Sequence, residues 1–116
     1  MNKLTTTRRT SSRSALLLAD QHAAELADLF RLLGDPTRLR IVLTCLDAPT
    51  SVGEIADRLD LSASLVSHHL RLLRAARIVR AERHGKQVFY AAADEHVRRV
   101  VVDMLEHVAE PQDEDA

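Results

Sequence analysis

The chain has 116 residues, of which 46% are hydrophobic, 28% charged and only 3% aromatic. That is one domain's length with an aliphatic core, too short for a large core without help from a second copy. The single cysteine, Cys45, excludes an intrachain disulfide and a thiolate cluster and is in keeping with a reducing cytoplasm. No segment has transmembrane length and the N-terminus lacks a signal-peptide core, so the expectation is a cytoplasmic protein without a membrane partner. The net charge of −1 hides an asymmetry: residues 1–93 hold 14 Lys/Arg against 9 Asp/Glu, and residues 94–116 hold 2 against 8. A basic body with an acidic C-terminal piece can turn a basic face to DNA while staying near neutral overall.

Residues 1–13 are polar, rich in Thr, Ser and Arg, and aperiodic, which predicts a disordered arm. From Ser14 to Leu33 the spacing is helical, with Ala19, Ala23, Leu26, Phe30 and Leu33 on one face. Gly34 ends this helix, and Asp35-Pro36 opens a second that carries Leu39, Ile41, Val42 and Leu46 and stops before Pro49. Ser51 and Glu54 form a capping-box pattern for a short third helix, with Ile55, Ala56 and Leu59 as its buried positions. After a tight turn at Asp60-Leu61, Ser62 caps a fourth helix over Ala63–Ala75. Two short helices joined by such a turn read as helix-turn-helix. Two β-prone runs, Ile78–Arg83 and Lys86–Ala91, flank His84-Gly85 and predict a hairpin. A last helix runs from near Asp94 to about Ala109, and residues 111–116 form an acidic tail.

The fourth helix is built to approach DNA. Its N-terminal positions Ser62, Ala63, Ser64, Ser67, His68 and His69 are small or hydrogen-bonding, and Arg71 and Arg74 follow on the polar side. The N-terminal residues of a major-groove helix reach base edges. Between Ser62 and Tyr90 there are six Lys/Arg and one acid, and the hairpin tip reads Arg83-His84-Gly85-Lys86, which suits a phosphate-touching wing. His68 and His69 are adjacent on a helix, about 100° apart, a poor arrangement for sharing one metal ion.

The last helix holds Asp94-x-His96, ten further residues, then His107-x-x-Glu110. These nitrogen and oxygen donors suit a borderline divalent metal. His96 and His107 are eleven residues apart, roughly 16 Å along one helix, whereas two ligands of one zinc lie within about 4 Å of each other. One helix therefore cannot bring both halves to one ion. Eleven residues is close to three turns, however, so both halves share a face. Antiparallel last helices in a two-fold homodimer would join Asp94 and His96 of one chain to His107 and Glu110 of the other, giving two sites per dimer. Taken singly, Asp94 is equally a helix cap and Glu110 equally a solvated acid. The apolar stripe Val97, Val101, Met104, Leu105 and Val108 offers a surface for self-association.

Three stretches, Leu32-Leu33-Gly34-Asp35-Pro36-Thr37-Arg38-Leu39-Arg40-Ile41, Ser62–Leu73 and Arg83–Tyr90, together with the D-x-H-x10-H-x2-E pattern, resemble the ArsR/SmtB family of metal-sensing repressors over roughly residues 20–110. The resemblance implies a winged helix-turn-helix, mainly α with a β-hairpin in the order α-α-α-α-β-β-α, dimerised through its first and last helices. It implies a metal-free dimer that binds an imperfect operator palindrome, and Zn(II) at Asp94, His96, His107 and Glu110 that lowers DNA affinity and derepresses efflux or sequestration genes. The family's arsenic, cadmium and lead sensors carry cysteines in the third helix, where this chain reads Ser51-Val52-Gly53-Glu54-Ile55-Ala56. Four N/O donors favour Zn(II), with Co(II) or Ni(II) as alternatives. His22 in the first helix is the one nearby histidine that could serve a nickel/cobalt sensor, and it reads more simply as a surface or packing residue. A winged-helix repressor answering a non-metal signal is the other alternative. An enzyme is not expected, since neither an H-E-x-x-H motif nor a nucleophile paired with a base is present.

Overall fold

The computed structural model describes residues 14–15 and 19–112. It falls into two units, Met1–Gly34 and Asp35–Ala116. The expected arm over residues 1–13 and the end of the acidic tail, residues 113–116, lie outside the described residues.

The first unit holds α1 (Asp20–Leu33). The sequence reading runs one helix from Ser14 to Leu33; Ser14 and Ala15 are indeed helical, but Ala19 is in extended backbone and α1 itself starts at Asp20, with residues 16–18 outside the described residues. Ala19 offers no capping oxygen. What favours a start here is the Asp20 carboxylate in the first turn, at the positive end of the helix dipole. Gly34 closes the helix, its N–H donating to the Arg31 carbonyl at 3.2 Å. Its φ of −71° is ordinary, so the glycine is there for space: a Cβ would sit 3.3 Å from the carbonyl oxygens of Phe30 and Arg31.

The second unit contains α2 (Pro36–Thr44), β1 (Thr50–Ser51), α3 (Val52–Leu59), α4 (Ala63–Ala75), β2 (Val79–His84), β3 (Gln87–Ala92) and α5 (Glu95–Ala109). Each expected cap is in place. Asp35 accepts from the Arg38 N–H at 3.0 Å, Ser51 from Glu54 at 3.2 Å, Ser62 from Leu65 at 3.1 Å and Asp94 from Val97 at 3.0 Å. Each bond satisfies a backbone donor that the first helical turn otherwise leaves unpaired. Between α3 and α4 the chain reverses at Asp60, which takes a left-handed conformation (φ 56°, ψ 50°). The Leu61 N–H then returns to the Ala56 carbonyl at 3.0 Å. Asp tolerates this backbone better than most residues, so a three-residue turn can set the helix-turn-helix angle.

The hairpin pairs His84 with Gln87 across a two-residue loop, Gly85-Lys86, with Gly85 at φ +65°. A left-handed first loop residue matches the strand twist, and glycine adopts it without steric penalty. The expected order of four helices, a hairpin and a final helix needs one correction. A third strand, β1, pairs antiparallel with β3 (Thr50 opposite Tyr90, Ser51 opposite Phe89), giving the sheet order β1-β3-β2. Two residues are too few to show a period-2 pattern, and the neighbouring Pro49 and the Ser51 cap read as loop and helix signals.

Ile41 and Val42 of α2 with Cys45 at its C-cap, Ile55 and Ala56 of α3, and Val66, Leu70 and Leu73 of α4 are buried in one aliphatic core, closed by Ile78, Val79, Ala91, Ala92 and Val101. That core holds α4 against the other two helices and the sheet, while its polar face stays in solvent. No helix among the described residues is long and apolar enough to cross a membrane.

Candidate DNA interface and metal half-sites

The N-terminal end of α4 is open. Ser62, Ala63, Ser64 and His68 are exposed, Ser67 is half-covered, and Arg71 is exposed a turn further on. Buried Val66, Leu70 and Leu73 anchor the opposite face of the helix. At the hairpin tip Arg83, His84 and Lys86 are exposed. Alternation along β2 puts Arg80, Glu82 and His84 on one face. Glu82 pairs with Arg80, and His84 Nε2 lies 3.3 Å from the Glu82 carboxylate. The His84 ring meets Phe89 edge-on, with centroids 5.2 Å apart. The single acid between Ser62 and Tyr90 is thus held by its neighbours, which leaves Arg83 and Lys86 as the unscreened positive charges of the tip.

His69, grouped with the DNA contacts by sequence, is placed differently from His68. The two rings are tilted by 58°, with centroids 5.7 Å apart. His69 is half-covered, and its Nδ1 accepts a hydrogen bond from Arg38 Nε of α2 at 3.2 Å. Burial chiefly holds its pKa below the ordinary histidine range. Arg38 adds to that lowering, Asp35 opposes it, and His68 lowers it a little further. Sequence reasoning missed Arg38, because nothing in a linear pattern shows that residues 31 apart meet across a helix pair.

The expected metal donors divide between the ends of α5. Asp94 is the N-cap, in extended backbone, and its Oδ1 lies 3.8 Å from His96 Nδ1. The extended cap lets an i, i+2 pair converge, which regular helix would not allow. His107 lies in the last turn, and Glu110 is the C-cap, whose N–H donates to the Glu106 and His107 carbonyls. All four are exposed. Among the described residues no three His, Cys, Asp or Glu side chains come together as one metal-binding group. Each half offers two exposed N/O donors, and the 15-residue helix holds the halves apart.

Asp94 also borders an open cleft of about 210 Å³ lined by Asp47, Arg80, Glu95 and Arg98 among others. There Arg98 reaches toward Asp47 at 3.8 Å and Glu95 at 3.5 Å. Cys45, the C-cap of α2, is fully buried and its thiol is pushed up to about 11 by burial, which a backbone hydrogen bond only partly offsets. It is an apolar filler rather than a soft-metal ligand.

Residues 35–81, which span α2 through the start of β2, match the family model described as bacterial regulatory protein, arsR family. Over 83 residues the chain is 40% identical to the transcriptional repressor SmtB of Mycobacterium tuberculosis, a match covering 72% of this chain and 62% of that one. It is also 40% identical to the cadmium metal-sensor CMTR of Mycobacterium tuberculosis, whose solved structure superposes with a TM-score of 0.62 over 76% of this chain and 92% of that one. The chain belongs to the arsR family. Its fold is likewise that of a homodimeric winged helix-turn-helix DNA-binding domain from Mycobacterium bovis, 24% identical, with a TM-score of 0.72 over 82% of this chain and 91% of the other. Members of the arsR family are DNA-binding transcriptional regulators, not enzymes. In that setting α3 and α4 are the helix-turn-helix, α4 is its recognition helix, and the β2–β3 hairpin is its wing.

Proposed function

We propose that this arsR-family regulator is a homodimeric repressor that binds an imperfect operator palindrome when metal-free and releases it when Zn(II) binds between the last helices. The observation that carries this reading is the division of four exposed donors between the two ends of α5, on a helix whose apolar side chains are left uncovered in the single chain. Val100, Met104, Leu105 and Val108 are 46%, 55%, 48% and 77% exposed, and Val101 is the one buried residue of α5. An amphipathic helix with its apolar face in water calls for a partner. An antiparallel second α5 both covers that face and completes each half-site. In α1, Leu26 and Phe30 are similarly exposed, which supports a part for the first helix in the same dimer.

Ser62, Ala63, Ser64, Ser67, His68 and Arg71 of the recognition helix and Arg83, His84 and Lys86 of the wing would meet DNA, the helix at base edges and the wing at phosphate. His69, expected from the sequence among these contacts, is turned to Arg38 and would support the helix from behind. Asp94 and His96 of one chain with His107 and Glu110 of its partner would hold the ion. Four N/O donors and no available thiolate favour Zn(II), with Co(II) in the same geometry, over the cadmium named for the relative CMTR. A bound divalent cation supplies a cross-link between subunits and neutralises two carboxylates. Its effect on DNA is a coupling free energy, so DNA must weaken zinc binding by the same factor.

Complementation between subunits tests the shared site. The His96→Ala and His107→Ala homodimers should each lose both tight zinc ions. A heterodimer carrying one change per subunit keeps one intact site, and calorimetry should recover one ion per dimer. A heterodimer with no recovery would place the ligands within one chain and end the proposal.

A further inference from the structure

We infer that Arg38 is a positioning residue for DNA recognition: its hydrogen bond to His69 locks one tautomer of that ring and fixes the orientation of the recognition helix α4 against α2. This inference rests on the α2–α4 packing and is independent of the zinc reading.

The chemistry at the contact is unambiguous. A guanidinium has N–H donors and no acceptor, and stays protonated in proteins. Arg38 Nε lies 3.2 Å from His69 Nδ1, so Nδ1 presents its lone pair. A neutral imidazole with a bare Nδ1 carries its hydrogen on Nε2. His69 is therefore the Nε2–H tautomer, and a second proton would turn this bond into a clash between two donors. The charged groups that act on the ring are Arg38 of α2, Asp35 at the N-cap of α2 and His68 of its own helix; α3 and β2, also packed against α4, add none.

Arg38 is itself well rooted. It stands in the first turn of α2, where its backbone N–H donates to the Asp35 carboxylate at 3.0 Å. Behind the contact, Ile41 and Val42 of α2 and Val66, Leu70 and Leu73 of α4 are buried. Aliphatic packing is strong but non-directional, and tolerates small rotations of one helix against another. A hydrogen bond at the edge of that interface supplies the direction. His69 is next to His68 and two residues from Ser67, so a turn of α4 about its axis carries both with it.

The first measurement is long-range ¹H–¹⁵N NMR of the histidine rings, with His69 assigned by difference from His69→Asn. The expected result is the Nε2–H tautomer in the wild-type chain and a mixture of tautomers in Arg38→Met. A predominant Nδ1–H form in the wild type would overturn the inference. The second is binding to a duplex selected by the wild-type protein from a random-sequence pool, at fixed salt. Arg38→Met and His69→Leu should each weaken it roughly fivefold, as expected for one lost hydrogen bond, and the double variant no further. His69→Asn, whose Oδ1 replaces Nδ1 as acceptor, should bind within about twofold of wild type. If His69→Asn binds as weakly as His69→Leu, the ring touches DNA itself and the positioning role fails. If Arg38→Met instead lowers the salt slope by about one with the tautomer unchanged, Arg38 is a phosphate ligand and the inference is overturned.

Discussion

Asp94 has two jobs in this account, and they can be separated. As the N-cap of α5 its Oδ1 accepts the Val97 N–H at 3.0 Å. As half of a metal half-site its carboxylate lies 3.8 Å from His96 Nδ1. Removing a side-chain cap costs about 1 kcal/mol, which for a chain of this size lowers the melting temperature by roughly 4 °C. Asp94→Ala should therefore lose about that much zinc-free stability. Asp94→Ser keeps a capping oxygen and should stay within about 0.5 kcal/mol of wild type, the loss of charge at the helix start being a minor term. Neither variant keeps a carboxylate ligand. Since loss of a supporting contact around a metal costs roughly 10–100-fold in affinity, loss of a ligand should cost at least as much. Urea unfolding in chelator at one protein concentration measures the first effect, and zinc competition with a chromophoric chelator measures the second. Asp94→Ser should be stable yet weak in zinc binding. An Asp94→Ser protein that binds zinc like wild type would show Asp94 to be a cap alone.

Three further outcomes are expected. Cys45 is raised to about 11 in the folded chain from 9.0 when unfolded, so the unfolded state loses its proton first and stability falls as pH rises through that interval; a Cys45→Ala variant should show a shallower alkaline loss, and equal slopes would contradict the burial argument. His69 is shifted the other way, below its unfolded value of 6.5, so the unfolded state takes up a proton first and stability falls as pH drops through 6.5; acid titration of thermal stability should be shallower in His69→Asn, and an unchanged slope would reject it. Gly85 stands at φ +65° with open space around its Cβ position, so Gly85→Ala should cost about 1 kcal/mol through backbone strain alone, read by chemical unfolding, and a neutral result would remove the constraint on the wing turn.

Much of the fold was legible because its signals are local. Asp35-Pro36, Ser51 with Glu54, Ser62 and Asp94 each announce a helix start through a side-chain oxygen placed to meet an early N–H, and each makes that bond. Gly85 likewise marks the hairpin turn, where its φ of +65° suits glycine. The start of α1 was less legible, because the apolar spacing runs through Ala19 while Asp20 supplies the stronger end signal. β1 escaped for want of length, and the Arg38–His69 contact because two helices decide it jointly. For the metal donors, helix arithmetic on Asp94, His96, His107 and Glu110 is as far as a linear pattern reaches, since completing either half-site takes a second chain.

Zinc and DNA should compete for this regulator through the last helix. Fluorescence anisotropy of a palindromic duplex from upstream of its own gene, at constant salt, tests it directly. Added zinc should weaken binding at least tenfold, about 1.4 kcal/mol of coupling, and His107→Ala should bind the duplex normally and ignore zinc. Wild-type binding that is unchanged by saturating zinc, or a His107→Ala protein still released at the same zinc concentration, would contradict it.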